Sequence, residues 1–290
     1  MKTRNFESRL KADKSFKLAD IDPRDTGGFA KDDAKALVEG GLARLQDLQV
    51  RLYAEGKWSL LIILQGMDTS GKDSLVSHVM SGINPQGCDV RSFKAPSSLD
   101  LRHDFLWRCA CALPERGRIG IFNRSYYEDV LVVRVHKELL EKQNIPRACM
   151  TDDLWAERFA SIRAFERHLA RNGTVVLKFF LHISREEQKK RLLARIDEPE
   201  KNWKFDPGDL AERVHWDDYA HAYEDAIAHT TRDEAPWYII PADHKWFARL
   251  AVAEIIATRL ERMDPQFPSL DAQDRAGLLQ ARERLMKEPD

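Results

Sequence analysis

The stretch that most constrains this chain is Leu60-Leu61-Ile62-Ile63-Leu64-Gln65-Gly66-Met67-Asp68-Thr69-Ser70-Gly71-Lys72-Asp73. An apolar run ends in Gly66, and Gly71 and Lys72 follow at the spacing of a phosphate-binding P-loop. The run is short and rich in β-branched and aliphatic residues, so it reads as a buried parallel strand. The loop through Met67, Asp68, Thr69 and Ser70 lets backbone N–H groups wrap a phosphate, and Lys72 adds a point charge. Ser74 to Met80 reads as the helix whose N-terminus faces the anion. The chemistry this implies is the handling of phosphoryl groups.

One position departs from the usual loop. The residue after the lysine normally carries a hydroxyl that binds Mg²⁺, and here it is Asp73. A second carboxylate, Asp68, lies inside the loop. An acid beside a phosphate is repelled unless a cation lies between them. Asp68 is therefore read as a Mg²⁺ ligand, with Asp73 a weaker candidate. The plainer alternatives are an Asp68 bonded to loop amides and an Asp73 that caps the helix.

The chain has 290 residues, which suits one α/β domain with additions. Its hydrophobic content of 43% supports a sizeable core, and no apolar run is long enough to span a bilayer. Met1 to Leu18 is charged and lacks the apolar core of a signal peptide. Cys88, Cys109, Cys111 and Cys149 lack paired metal spacing and read as buried free thiols, which fits a cytoplasmic protein. Lys plus Arg is 46 against 47 for Asp plus Glu, so a polyanion site must be a local channel and nucleic acid is not an expected partner.

Along the chain, residues 1–30 read as an extended polar arm, and Asp32 to Tyr53 as a helix with leucines at helical spacing. Strands follow at 60–64, 89–93, 119–122, 174–181 and 237–240. Helices are expected at about 97–112, 154–170, 184–196, 210–227 and 246–263, with an irregular insertion at 136–152. Strands alternating with helices predict an α/β fold: a doubly wound, parallel five-stranded sheet, helices on both faces, a helical lid. The expected layout is an N-terminal arm and helix (1–55), a core (56–265) with its lid at about 184–215, and a tail (266–290). Ligands should bind at the carboxyl ends of the strands.

Three further constellations stand at or near those ends. Asn123-Arg124-Ser125-Tyr126-Tyr127-Glu128-Asp129 follows a strand, where P-loop enzymes place a metal carboxylate. Glu128 and Asp129 are the acids, Asp129 the metal candidate, and Arg124 can reach a transferring phosphoryl group. The bland alternative is a loop held by an Arg–carboxylate pair. Arg191 and Arg195 share one face of a basic helix, and Lys204 follows among aromatics, as in a lid that closes over phosphates. Glu187 and Arg191 also share a face, so a salt-bridged solvated surface is the rival reading. Lys94 ends the second strand, where it either binds an acceptor phosphate or is simply exposed. His103 reads as a surface or core histidine, not a catalyst.

Taken together these residues resemble the polyphosphate kinase 2 family, from about Tyr53 to Pro268. The loop 66–73, Asn84-Pro85, Phe105-Leu106-Trp107-Arg108 and the run Phe122 to Val132 carry the likeness. Lys178 to Ser184, Trp203-Lys204-Phe205 and Ala235 to Tyr238 add to it. The resemblance implies transfer between inorganic polyphosphate and the adenine nucleotides AMP, ADP and ATP. It implies Mg²⁺ as cofactor, with Mn²⁺ as its substitute, and a homodimer or homotetramer with no membrane partner. By position, Asp68 resembles the family's loop metal carboxylate, Lys72 its phosphate lysine and Arg124 a phosphate-binding arginine. Many members carry Asp where this chain has Asn123, and the Asn form resembles the branch that phosphorylates both AMP and ADP. The rivals are an ADP-only or GDP-preferring polyphosphate kinase, a nucleoside monophosphate kinase using ATP, and a nucleotide-sensing module without catalysis.

Overall fold

The computed structural model describes residues 6–288. Five parallel strands form its sheet: β1 (Ser59–Gln65), β2 (Cys88–Ser92), β3 (Ile119–Asn123), β4 (Thr174–His182) and β5 (Trp237–Pro241). Their spatial order is β2-β3-β1-β4-β5. β1 is central, and every one of its residues is buried, as an unbroken apolar run between two helical layers requires. Leu64 lies beside Asn123, Asn123 beside Ser92, and Gln65 beside Phe180. This register brings the chain segments after β1, β2, β3 and β4 to one edge of the sheet.

Helices α2 (Lys31–Glu55) and α7 (Lys245–Met263) pack together on one face, with α3 (Lys72–Val79) beside α7. On the other, α4 (Leu154–Arg171) packs on β4 and against α6 (Trp216–Thr230). The stretch read as a lid folds as α5 (Arg185–Asp197), a 3₁₀ segment Pro199–Lys204, a short helix Gly208–Glu212 and a 3₁₀ turn to His215. Ser184 caps α5 by accepting from the Glu187 N–H at 3.0 Å. Helix α8 (Ala272–Leu285) is exposed throughout.

Four expectations need correction. The arm is not simply extended: its described part contains a short helix α1 (Phe6–Leu10), and Phe6, Leu10 and Phe16 are buried. It adds an antiparallel bridge from Lys11 to Tyr238 on β5. The helix expected at 97–112 is only a 3₁₀ turn Asp100–Arg102 and one turn Trp107–Ala110. Asp100 accepts from the Ser97 N–H at 2.8 Å and Asp104 from the Leu106 N–H at 2.9 Å, local bonds that compete with a helix. The helix expected at 210–227 is broken, and α6 begins only at Trp216. Finally, all four cysteines are free, but Cys111 and Cys149 are exposed. Among the described residues no helix is long and apolar enough to cross a membrane.

Candidate active site

The loop after β1 is held by glycines that no other residue can replace cheaply. Gly66 has φ +156°, and a Cβ there would stand 2.8 Å from the Leu181 carbonyl oxygen. Gly71, at φ +102°, opens α3. Lys72 folds back into the loop. Its ammonium donates to the carbonyls of Gly66 (2.7 Å) and Met67 (3.2 Å) and to Ser70 Oγ at 3.4 Å. The side chain is buried, and burial, reinforced by the Arg124 charge, lowers its pKa to about 8.

Arg124, the residue after β3, extends that strand's pairing with β1. Its N–H donates to Leu64 O at 3.1 Å, and its φ of +64° is a left-handed conformation that a non-glycine residue adopts at some cost. That turn aims the guanidinium between two carboxylates: Asp68 Oδ1 at 3.0 Å and Glu128 Oε2 at 3.5 Å. Burial pushes the Glu128 carboxyl above its usual range, against the pull of Arg124 and Lys72. Gly66, Met67, Asp68, Arg124 and Glu128 therefore line one cavity of about 280 Å³. Asn123 is buried, and its amide donates to Asp73 Oδ1 in a short contact. Asp73 is thereby tied to β3 rather than turned into the cavity.

The lid residues divide. Arg191 is buried, and all five of its N–H groups meet protein acceptors. Nη1 donates to Thr69 O (3.0 Å) and Ser70 O (2.9 Å), and Nη2 to Ala242 O (2.6 Å) and Asp243 O (3.1 Å). Nε donates to Glu187 at 2.8 Å. The expected lid cation is here a brace behind the phosphate loop, joining it to the segment after β5. Arg195 binds Asp209 at 2.7 Å and the Lys204 carbonyl at 3.0 Å, so it fastens the lid to itself. The Lys204 ammonium is exposed, 5.0 Å from the centre of the Trp203 ring. Neither lines the cavity.

Asp129 is a second correction. Its carboxylate is buried, accepts from Gln143 Nε2 at 2.6 Å and lies 4.0 Å from Arg158. It faces a different cavity from Glu128, so it is not placed to share a metal with Asp68. Lys94 is exposed at the end of β2, and its carbonyl accepts from Arg108 at 2.7 Å. Residues not singled out in the sequence complete the cavity: Gln188, Asp209, Arg213 and Tyr219. Gln188 donates to the Asp68 carbonyl at 3.1 Å and accepts from Arg213 at 2.6 Å. Its one available signal was its position three before Arg191 on the same helix face.

The hard oxygen donors Asp68 and Glu128 suit Mg²⁺. No group of three or more His, Cys, Asp or Glu side chains among the described residues forms a cage. An ion that keeps its waters and takes one or two carboxylates plus phosphate oxygens fits such a site.

Residues 28–268 match the family described as polyphosphate kinase 2. An ADP-polyphosphate phosphotransferase of Rhodopseudomonas palustris is 51% identical over 89% of this chain and 90% of its own. An AMP/ADP-polyphosphate phosphotransferase of Meiothermus ruber is 45% identical over 90% of this chain and 94% of its own. The crystal structure of polyphosphate kinase 2 from Arthrobacter aurescens superposes with a TM-score of 0.87, at 42% identity, over 96% of this chain and 97% of that one.

Proposed function

The chain belongs to the polyphosphate kinase 2 family, and from that premise we propose that it passes the terminal phosphoryl group of inorganic polyphosphate to AMP and ADP, reversibly and with Mg²⁺. The observation that carries this reading is the placing of Asp68, Arg124 and Glu128 on one cavity walled by the phosphate loop, with the buried Lys72 ammonium bonded to that loop's carbonyls.

Each group has a task in such a transfer. An oxygen of the acceptor phosphate attacks the terminal phosphorus, the P–O–P bond breaks, and the shortened chain leaves with the negative charge. The attacking oxygen is already anionic, so no general base is needed. Catalysis then rests on alignment and charge stabilisation. The Lys72 ammonium, now held by loop carbonyls, lies where the loop amides gather around an anion. Arg124 presents a planar fork that can leave its carboxylates for phosphoryl oxygens. Asp68 and Glu128 would hold Mg²⁺, which would supply positive charge to offset the charge developing on the phosphoryl oxygens. Arg191 keeps the carbonyls of Thr69 and Ser70 turned away from the cavity, which leaves the amides of the loop to the anion. A homodimeric or homotetrameric assembly and a cytoplasmic setting belong to the same proposal.

The test is an assay of the purified protein with AMP or ADP, Mg²⁺, and either polyphosphate or ATP as donor. Nucleotide formed from polyphosphate supports the reading. Transfer from ATP alone makes the protein an ordinary nucleoside monophosphate kinase, and no transfer leaves only a sensing module. Acceptor range turns on Asn123. Replacing it by Asp sets a second carboxylate against Asp73, and two such charges in contact need a cation or a proton between them. Asn123→Asp is expected to change the ratio of AMP to ADP turnover and to raise the Mg²⁺ requirement. Initial rates with each acceptor across an Mg²⁺ series check this; an unchanged ratio places acceptor choice elsewhere, with Glu128 next to test.

A further inference from the structure

Helix α8 lies beyond the family match, which ends at residue 268, and it is exposed along its whole length. A helix of 14 residues standing alone in water is marginal. Its large apolar side chains make the exposure costlier: Leu278, Leu279, Leu285 and Met286 are between 57% and 73% exposed. With Arg275 and Arg282 they recur at i, i+3, i+4, i+7, i+10 and i+11, so they share one face. Single apolar residues on a surface need no explanation, but a contiguous face on an unsupported helix marks an interaction surface.

A counterpart lies on α2. Gly40, Ala43, Asp47 and Val50 recur at i, i+3, i+7 and i+10, all exposed, with exposed Glu39 and Tyr53 beside them. A Cβ at Gly40 would meet nothing within 4 Å, so this face is open. The two faces are opposite in character: large apolar groups and two cations on α8, small residues and two acids on α2. The spacings agree as well. Arg275 and Arg282 stand about 10 Å apart along their helix axis, and Glu39 and Asp47 about 12 Å. Asp47 pairs with Arg51 at 2.8 Å, an exposed bridge that a second cation can share. In its own chain both faces are exposed, so α8 does not cover α2 there. The chain nevertheless leaves its body beside α2, because Glu261, near the end of α7, accepts from Arg44 at 2.7 Å. A two-fold axis near that exit brings each α8 to the other copy's α2 and closes the pair. We infer that α8 docks on α2 of a second copy of this chain, and that α2 receives the second copy's α8 in return. The inference rests on the homo-oligomeric assembly proposed above.

The test reverses charges in the full-length chain and reads mass by light scattering and dissociation by sedimentation. Arg275→Glu with Arg282→Glu, and separately Glu39→Arg with Asp47→Arg, should each raise the dissociation constant of the pair at least tenfold. All four changes together should return it to within threefold of the parent, which loss of folding would not do. Leu278→Glu with Leu285→Glu should separate the copies with no such rescue, and thermal melts verify that every variant is folded. A monomeric parent overturns this contact together with the homo-oligomeric reading. A parent that assembles but keeps its affinity in the α8 variants, or in the α2 variant, overturns this contact alone. Transfer from polyphosphate is assayed separately, so its failure leaves the contact to be decided by mass.

Discussion

Lys72→Ala is expected to cut turnover by ~10²–10³ while leaving the fold intact, because one preorganised charge at a transferring group is worth about that much. The side chain is buried under the phosphate loop, yet its bonds run only to Gly66 O, Met67 O and Ser70 Oγ, so truncation removes a cation without opening a large core void. A pH profile separates this role from a structural one. The Lys72 pKa in the free enzyme is lowered to about 8. A bound polyanion stabilises the charged form and raises it, so affinity is full below about 8 and falls as pH rises above it. The parent should lose polyphosphate affinity through that window, and Lys72→Ala should show no such limb. Asp68→Asn should lose turnover to a similar degree and keep the limb. A folded Lys72→Ala protein with near-parental turnover, or one retaining the limb, would remove Lys72 from the mechanism.

The phosphate loop was legible in the sequence because its geometry is local. A buried strand, two glycines at fixed spacing and a helix start all lie within Leu60 to Asp73, and the loop folds as its own residues dictate. All five strands were legible for a related reason: short apolar runs bounded by breakers have few other uses. Arg124 was legible as a cation after a strand, and the parallel register of β1 and β3 put it beside Asp68. What failed was long-range. Arg191 read as a lid cation because the carbonyls that take up its N–H groups come from Thr69 and Ser70, more than a hundred residues earlier, and from Ala242 and Asp243, about fifty later. No helical periodicity reports that. Asp129 looked equivalent to Glu128 because sequence adjacency hides the rotation of a 3₁₀ turn. The arm looked extended because its buried aromatics, Phe6 and Phe16, sit among charges, and Phe6 packs against Phe247 from the far end of the chain as well as Phe29.

Beneath the site lies an ion pair whose loss should have the largest effect on stability. Lys178 and Glu166 are both almost fully buried, 2.6 Å apart. Burial pushes the Glu166 carboxyl up and the Lys178 ammonium down, and their mutual attraction opposes both shifts. Every partner is supplied. Lys178 Nζ also donates to Tyr127 OH (3.0 Å) and Thr230 O (2.9 Å), and Glu166 Oε1 accepts from Tyr126 OH (3.0 Å) and Tyr127 OH (2.9 Å). Tyr126 and Tyr127 belong to the same 3₁₀ turn as Glu128, two residues after Arg124, so this network anchors the second half of the phosphate site from below. Lys178→Met leaves a carboxylate without its counter-charge and is expected to cost about 3–5 kcal/mol. In a chain of this size that lowers Tm by roughly 6–20 °C. Replacing both partners, Lys178→Met with Glu166→Leu, removes the stranded charge and should recover part of the loss, though both tyrosine hydroxyls then lose an acceptor. Thermal melts of the two single variants and the double variant form the cycle. A Lys178→Met protein melting within 2 °C of the parent, or a double variant less stable than the sum of the singles, would show that the pair is not what ties the Arg124 turn to the sheet.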